Sequence, residues 1–158
     1  MTKRLIQASI TGFEGEPRTV YSLYDLDTGL LVVNKEVAFR EDRFGGCVIV
    51  SNAELPAREA LFTVDHFPEA IEAFFELSRG KQIHIEDKAS RSNPTHCIQD
   101  DGLSTNGGRT YRINPNTLNC QVAVMATCWY VKRSRTLNKV VNMADRLLEI
   151  QRGGILSV

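Results

Sequence analysis

The stretch Val20-Tyr21-Ser22-Leu23-Tyr24-Asp25-Leu26-Asp27-Thr28-Gly29-Leu30-Leu31-Val32-Val33 decides the class of fold. Two runs rich in Val, Leu and Tyr flank Asp27-Thr28-Gly29. A three-residue loop ending in glycine is a common closure of a β-hairpin, because glycine takes the left-handed backbone at no steric cost. Upstream, Ile6, Ala8 and Ile10 alternate with Gln7, Ser9 and Thr11, the period of a half-buried strand, until Glu14-Gly15-Glu16-Pro17 breaks it. Downstream, Val37 to Phe39 extends the second arm and Arg43-Phe44-Gly45-Gly46 turns the chain. Cys47-Val48-Ile49-Val50 then reads as a short buried strand. The first third predicts an antiparallel meander.

Beyond it the period lengthens. Asn52-Ala53-Glu54-Leu55-Pro56 reads as the start of a short helix, since proline in a first turn removes only an N–H that is already unpaired. Asp65 is placed to cap a second helix, with Phe67, Ile71, Phe74 and Phe75 at helical spacing and Gly80 set to end it in the left-handed conformation. Lys81 to Glu86 alternates again, with Ile83 and Ile85 facing inward and Gln82, His84 and Glu86 outward. Residues 87–108 read as a long polar loop with Ile98 and Leu103 as its large apolar side chains. Loops beyond ~12–15 residues are uncommon in compact domains and are usually functional or disordered.

Arg109 to Ile113 reads as a strand closed by Asn114-Pro115-Asn116. From Leu118 to Val131, the residues Leu118, Val122, Met125 and Trp129 form a narrow helical stripe. The same stretch is rich in the Val, Thr, Cys, Trp and Tyr of a buried strand; we read it as helix. Lys132-Arg133-Ser134-Arg135 then separates it from another helix, whose apolar face is Leu137, Val140, Val141, Ala144, Leu147 and Leu148. The expectation is a single α+β domain over residues 1–158: an antiparallel sheet of about five or six strands packed against the middle and C-terminal helices.

Composition narrows the class. Hydrophobic residues make up 42% and charged residues 24% of the 158, both near globular averages. No apolar run approaches the ~20 residues of a membrane span, so no membrane association is expected. Polar Gln7, Ser9 and Thr11 interrupt the N-terminal stretch where a signal peptide needs ~7–15 apolar residues, which points to the cytoplasm. There Cys47, Cys97, Cys120 and Cys128 stay reduced. They lack C-x-x-C or zinc-ligand spacing, and neither a metal nor a cofactor is expected.

The formal net charge of zero conceals opposed regions. Residues 54–87 hold eight acids against three bases, and residues 109–152 hold eight bases against two acids. Such asymmetry steers an anionic partner or favours head-to-tail pairing of copies, so a homo-oligomer is one expectation.

Two constellations are candidates for binding. Glycines let backbone N–H groups approach an anion, and the exit of the polar loop offers Ser104, Thr105, Gly107, Gly108 and Arg109. Gly102 and Gly107 have phosphate-loop spacing, but Gly108-Arg109 follows instead of Lys-Ser/Thr and a strand follows instead of a helix. Tyr111 and Arg112, with Lys132, Arg133 and Arg135, add the cations and aromatics by which sheet-based modules hold nucleic acid. For catalysis the candidates are His84 with Glu86 on one strand face, and His96 with Asp100 and Asp101. No hydrolase signature accompanies them. The reading that results is a non-enzymatic binding protein for a nucleotide or nucleic acid. Its alternatives are a small hydrolase of phosphate esters and a protein-binding inhibitor or assembly subunit.

Overall fold

The computed structural model describes residues 3–103 and 108–135. The quoted stretch forms the expected hairpin. β1 (Lys3–Ile10), β2 (Arg18–Asp25) and β3 (Leu31–Ala38) pair antiparallel, and Gly29 turns between β2 and β3 at φ 75°. The fold is α+β with six strands in the main sheet. The sheet is antiparallel only at its centre, however. β4 (Val48–Ser51) returns parallel to β1, β5 (Arg58–Leu61) lies parallel to β4, and β6 (Ile83–Ile85) lies parallel to β3. The order is β5-β4-β1-β2-β3-β6. Since β2 alone runs against the others, five carboxyl ends share one edge. A separate antiparallel ribbon is formed by β7 (Ile98–Leu103) and β8 (Arg109–Ile113).

Several local expectations are corrected. The short helix at Asn52–Pro56 is absent, and Arg58-Glu59-Ala60-Leu61 is the edge strand β5 although all four residues favour helices. Backbone pairing with β4 and burial of Ala60 override that propensity. Asp65 sits inside a 3-10 turn, Val64–His66, whose cap is Thr63: its N–H donates to Nδ1 of His66 at 3.1 Å. The helix α1 (Phe67–Arg79) follows, with Pro68 in its first turn. Gly80 keeps φ at −80°, and the left-handed residue is Lys81 at φ 54°. The segment 87–108 contains a 3-10 stretch, Asp87–Ser92, and β7, while 104–107 lie outside the described residues. The second helix, α2 (119–135), runs straight through Lys132–Arg135, so no break occurs there. The expected helix over 137–148 lies outside the described residues.

The core forms between one sheet face and the helices. Ile6, Ala8, Ile10, Val20, Leu31 and Val33 point into it, as do Ile71, Phe74 and Leu77 of α1. In α2 every residue from Val122 to Val131 is buried. A helix apolar on all sides is a buried one, which is why this stretch also resembles a strand in composition. Burying each large side chain contributes roughly 1.5–3 kcal/mol. Trp129 stacks on the His66 ring at 4.4 Å and meets Phe62 edge-on at 5.5 Å, joining α2 to the turn before α1. Among the described residues no helix is long and apolar enough to cross a membrane.

Candidate functional site

Two polar regions occupy the central strands. The first lies on the face away from the helices. Gln7 and Ser9 of β1, Thr19 of β2 and Ser51 of β4 are fully buried there beneath residues 39–47. Gln7 donates to the carbonyl of Asp42 at 2.9 Å and accepts from the N–H of Phe44 at 3.0 Å. Ser9 and Thr19 share a hydroxyl bond of 2.8 Å; Ser9 also donates to the carbonyl of Arg40, and Thr19 accepts from the Arg40 N–H. Ser51 donates to the carbonyl of Ser9 at 2.6 Å. These neutral groups meet one another's needs and are closed to solvent.

The second region is open and charged. At the carboxyl edge, on the helix side, a cavity of about 470 Å³ is lined by Glu14, Glu16, Arg18, Glu36, Lys88 and Arg91, with the start of α2 at Leu118 and Asn119. Strand register builds it: Glu36 pairs with Val20 and Arg18 with Ala38, so the two charged residues lie diagonally across the β2–β3 pair. The Glu36 side chain is only 6% exposed. It accepts from Nε of Arg18, and from Nε and Nη2 of Arg91 at 3.2 and 2.6 Å. Burial alone would raise the Glu36 carboxyl, but the hydrogen bonds and charges of the two guanidiniums outweigh it and hold the group below the usual carboxylate range. Its hydrogen bond and charge push Arg91 up in turn.

Asn119 fixes one wall of the cavity. Its Nδ2 lies within hydrogen-bond distance of the carbonyls of Glu14, Gly15 and Glu16, and its Oδ1 accepts from the N–H of Phe13 at 2.9 Å. Gly12 and Gly15 supply the loop's left-handed residues, at φ 92° and 80°. The edge outside strand carboxyl ends is where open sheets with parallel strands bind ligands.

The residues singled out from sequence are dispersed. Ser104, Thr105 and Gly107 lie outside the described residues; Gly108 is exposed and Arg109 is in β8. Tyr111 packs on Phe75 at 5.3 Å, and Arg112 pairs with Asp101 at 3.0 Å. Lys132 pairs with Glu76 at 3.1 Å, Arg133 lies over the Trp129 ring, and Arg135 donates to the Tyr24 hydroxyl and the Gly29 carbonyl. Arg112, Lys132, Arg133 and Arg135 are thus each tied to a different neighbour. His84 and Glu86 do meet, at 3.6 Å, on the exposed face of β6. His96 is exposed elsewhere, and Asp100 accepts from the N–H of Gly102 in the β7–β8 ribbon. All four cysteines are buried and unbridged. Arg18, Glu36, Lys88, Arg91 and Asn119 were not singled out. An Arg and a Glu placed diagonally across a predicted hairpin are the signal that finds the first two.

No known family matches the sequence, and no curated protein is similar to it in sequence. Solved structures do resemble it. The large terminase nuclease from thermophilic phage G20c with bound magnesium matches with a TM-score of 0.52 at 12% identity, covering 81% of each chain. The large terminase nuclease domain of Thermus phage P74-26 matches with a TM-score of 0.50 at 12% identity, covering 80% of this chain and 77% of that one. The likeness is one of fold. It overturns the expectation of a non-enzymatic binding protein reaching an anion through Gly102–Arg112 and Lys132–Arg135. The architecture is one that nuclease domains use, and the described basic side chains of those segments are held by separate structural partners.

The magnesium of the phage G20c enzyme raises the question of whether this chain's residues fit such an ion. A hard divalent cation takes oxygen ligands, chiefly carboxylates. The central strands here carry Gln7, Ser9 and Ser51, whose polar atoms are already bonded within the protein. Glu36 is neutralised by two guanidiniums, and among the described residues no three His, Cys, Asp or Glu side chains converge on a metal position. The described residues do not fit the ion.

Proposed function

We propose that this chain is a nucleic-acid-processing domain whose contact with the strand lies at the carboxyl edge of its sheet. The carrying observation is that Arg18, Lys88 and Arg91 gather around one cavity there. Nuclease domains with this fold support nucleic acid as the substrate class. Glu36 takes only part of each arginine's donor fork, so guanidinium N–H groups are left to face a phosphate. Lys88 is exposed beside them and adds a point charge.

Fluorescence anisotropy with labelled single- and double-stranded oligonucleotides tests this reading. Two or three phosphate contacts predict a log–log salt slope of about −2, using 0.7–0.9 per phosphate. No binding to any oligonucleotide at low ionic strength would contradict it. Phosphodiester hydrolysis is the reaction class the fold brings, and end-labelled strands incubated with the protein read it directly on a gel.

A further inference from the structure

The sheet face away from the helices carries an aromatic ring that the core does not use. Phe44 is 53% exposed, yet its position is set from below. Its N–H donates to Oε1 of the fully buried Gln7, and its carbonyl accepts from the N–H of Cys47. Its ring meets that of Tyr21 edge-on at 5.7 Å. A lone exposed apolar residue is ordinary, but one tied by its backbone to a buried amide is a preorganised surface.

The surroundings suit a flat, electron-rich partner. Gly45 and Gly46 follow the ring, and a Cβ on either would meet no atom within 4 Å, so the space beside it is open. The Arg40 guanidinium lies 5.2 Å from the Phe44 ring centre, and Lys35 Nζ lies 5.7 Å from that of Tyr21. The Tyr21 hydroxyl is buried beside the Arg40 charge, with no hydrogen bond of ordinary geometry among the described residues. Such a group marks a place where a ligand can contribute a partner. Charge alone would hold a polyanion weakly here, since Lys35, Arg40 and Arg43 stand against Glu41 and Asp42. Recognition falls to the ring. Any base stacks on an aromatic face, but only an unpaired base is free to do so.

The ring also lies close to the carboxyl edge. The Arg40 N–H donates to the hydroxyl of Thr19, the residue after Arg18 in β2. Tyr21 is three residues from Arg18 along the same strand, roughly 10 Å. A single strand whose phosphates meet Arg18 can lay a base on Phe44 across the edge of the sheet.

We propose that Phe44 is a stacking platform for an unpaired base, directing this chain to single-stranded nucleic acid. The proposal rests on the nucleic-acid reading above and adds the strandedness of what is bound.

The test measures the affinity of the full chain and of Phe44→Leu for three short oligonucleotides of equal length. One is a single strand, one its duplex, and one a strand of abasic sites with the same phosphates. Leucine keeps an apolar side chain on the loop and removes the flat ring. Phe44→Leu should weaken single-strand binding about tenfold, the size of one stacked base, and leave the other two within about twofold. Both affinities should fall as salt rises, while their ratio stays constant, because stacking releases no counterions. Phe44→Trp should keep single-strand affinity, with emission quenched as the strand binds. The parent, whose one tryptophan is the buried Trp129, gives the baseline. Equal affinity of parent and Phe44→Leu for the single strand, or an equal loss on all three, overturns the proposal and leaves the nucleic-acid reading standing. Binding of none by the parent overturns both. Leu5 and Leu23, the neighbouring pair on this face, also suit a second copy of the chain. A dimer in sedimentation that Phe44→Leu dissociates, with oligonucleotide affinity unaltered, would assign the ring to that contact and overturn the proposal.

Discussion

The two polar regions of the central strands differ in every respect that separates support from function. Gln7, Ser9, Thr19 and Ser51 are neutral and fully buried; the first three are hydrogen-bonded to the segment that covers them, and Ser51 is bonded to the carbonyl of Ser9. Arg18, Glu36, Lys88 and Arg91 are charged, open to a cavity and only partly engaged with one another. Hydrogen bonds of the first kind fix the path of residues 39–47, which carry the chain from β3 to a strand on the far side of β1. Groups of the second kind keep capacity for something outside the chain. A fold that other proteins use for nucleic-acid chemistry here has amides and hydroxyls in its middle and cations at its carboxyl edge.

Breaking the closed region should have the largest effect on stability. Gln7→Ala removes the bonds to the Asp42 carbonyl and the Phe44 N–H and leaves a void where a fully buried side chain stood, a cost of about 3 kcal/mol. At roughly 2–4 °C per kcal/mol for a chain of this size, thermal denaturation should show a fall of about 6–12 °C. A fall under about 2 °C would mean that residues 39–47 are held by other contacts.

Glu36→Gln sharpens the contrast from the other side. It leaves two guanidiniums without their carboxylate and should cost about 1–3 kcal/mol at neutral pH. The folded Glu36 carboxyl titrates below the ordinary glutamate value of about 4.3. Its contribution is therefore complete above that value and is lost as pH falls through the lower folded one. Denaturant titrations should show the variant and the parent converging below about pH 4. A constant gap down to pH 3 would contradict the assignment of the charge to folding.

The smallest effect should be that of Arg112→Ala. Its pair with Asp101 is exposed on both sides, and exposed pairs contribute about 0–1 kcal/mol. Denaturation midpoints should hardly move, and oligonucleotide affinity should stay within about twofold of the parent. A large loss of affinity would return the β7–β8 ribbon to the site.

Legibility in the sequence followed how local each signal was. Asp27-Thr28-Gly29 sets its own turn, and the stripe through Phe67, Ile71 and Phe74 sets α1, so both were readable. The place of β4 beside β1 was not, because it depends on backbone bonds between residues 40–44 and side chains more than 20 positions away. β5 was hidden by its helix-forming residues, whose strand state is imposed by a neighbour. The site divides in the same way. The diagonal of Arg18 and Glu36 follows from the hairpin, whereas Lys88 and Arg91 sit in a Ser- and Asn-rich stretch that reads as loop and is 3-10 helical. Basic residues counted along the late sequence were misleading because a charge tally ignores partners: Lys132 faces Glu76 and Arg135 faces Tyr24.

Lys88→Ala tests the central claim most directly, since the side chain is exposed and lines the cavity without a bond that the fold needs. Oligonucleotide affinity and the melting temperature should be measured on the same preparation. The account predicts unchanged melting with affinity about tenfold weaker, the effect of one charge-assisted contact. Unchanged affinity in a protein that melts normally would contradict it.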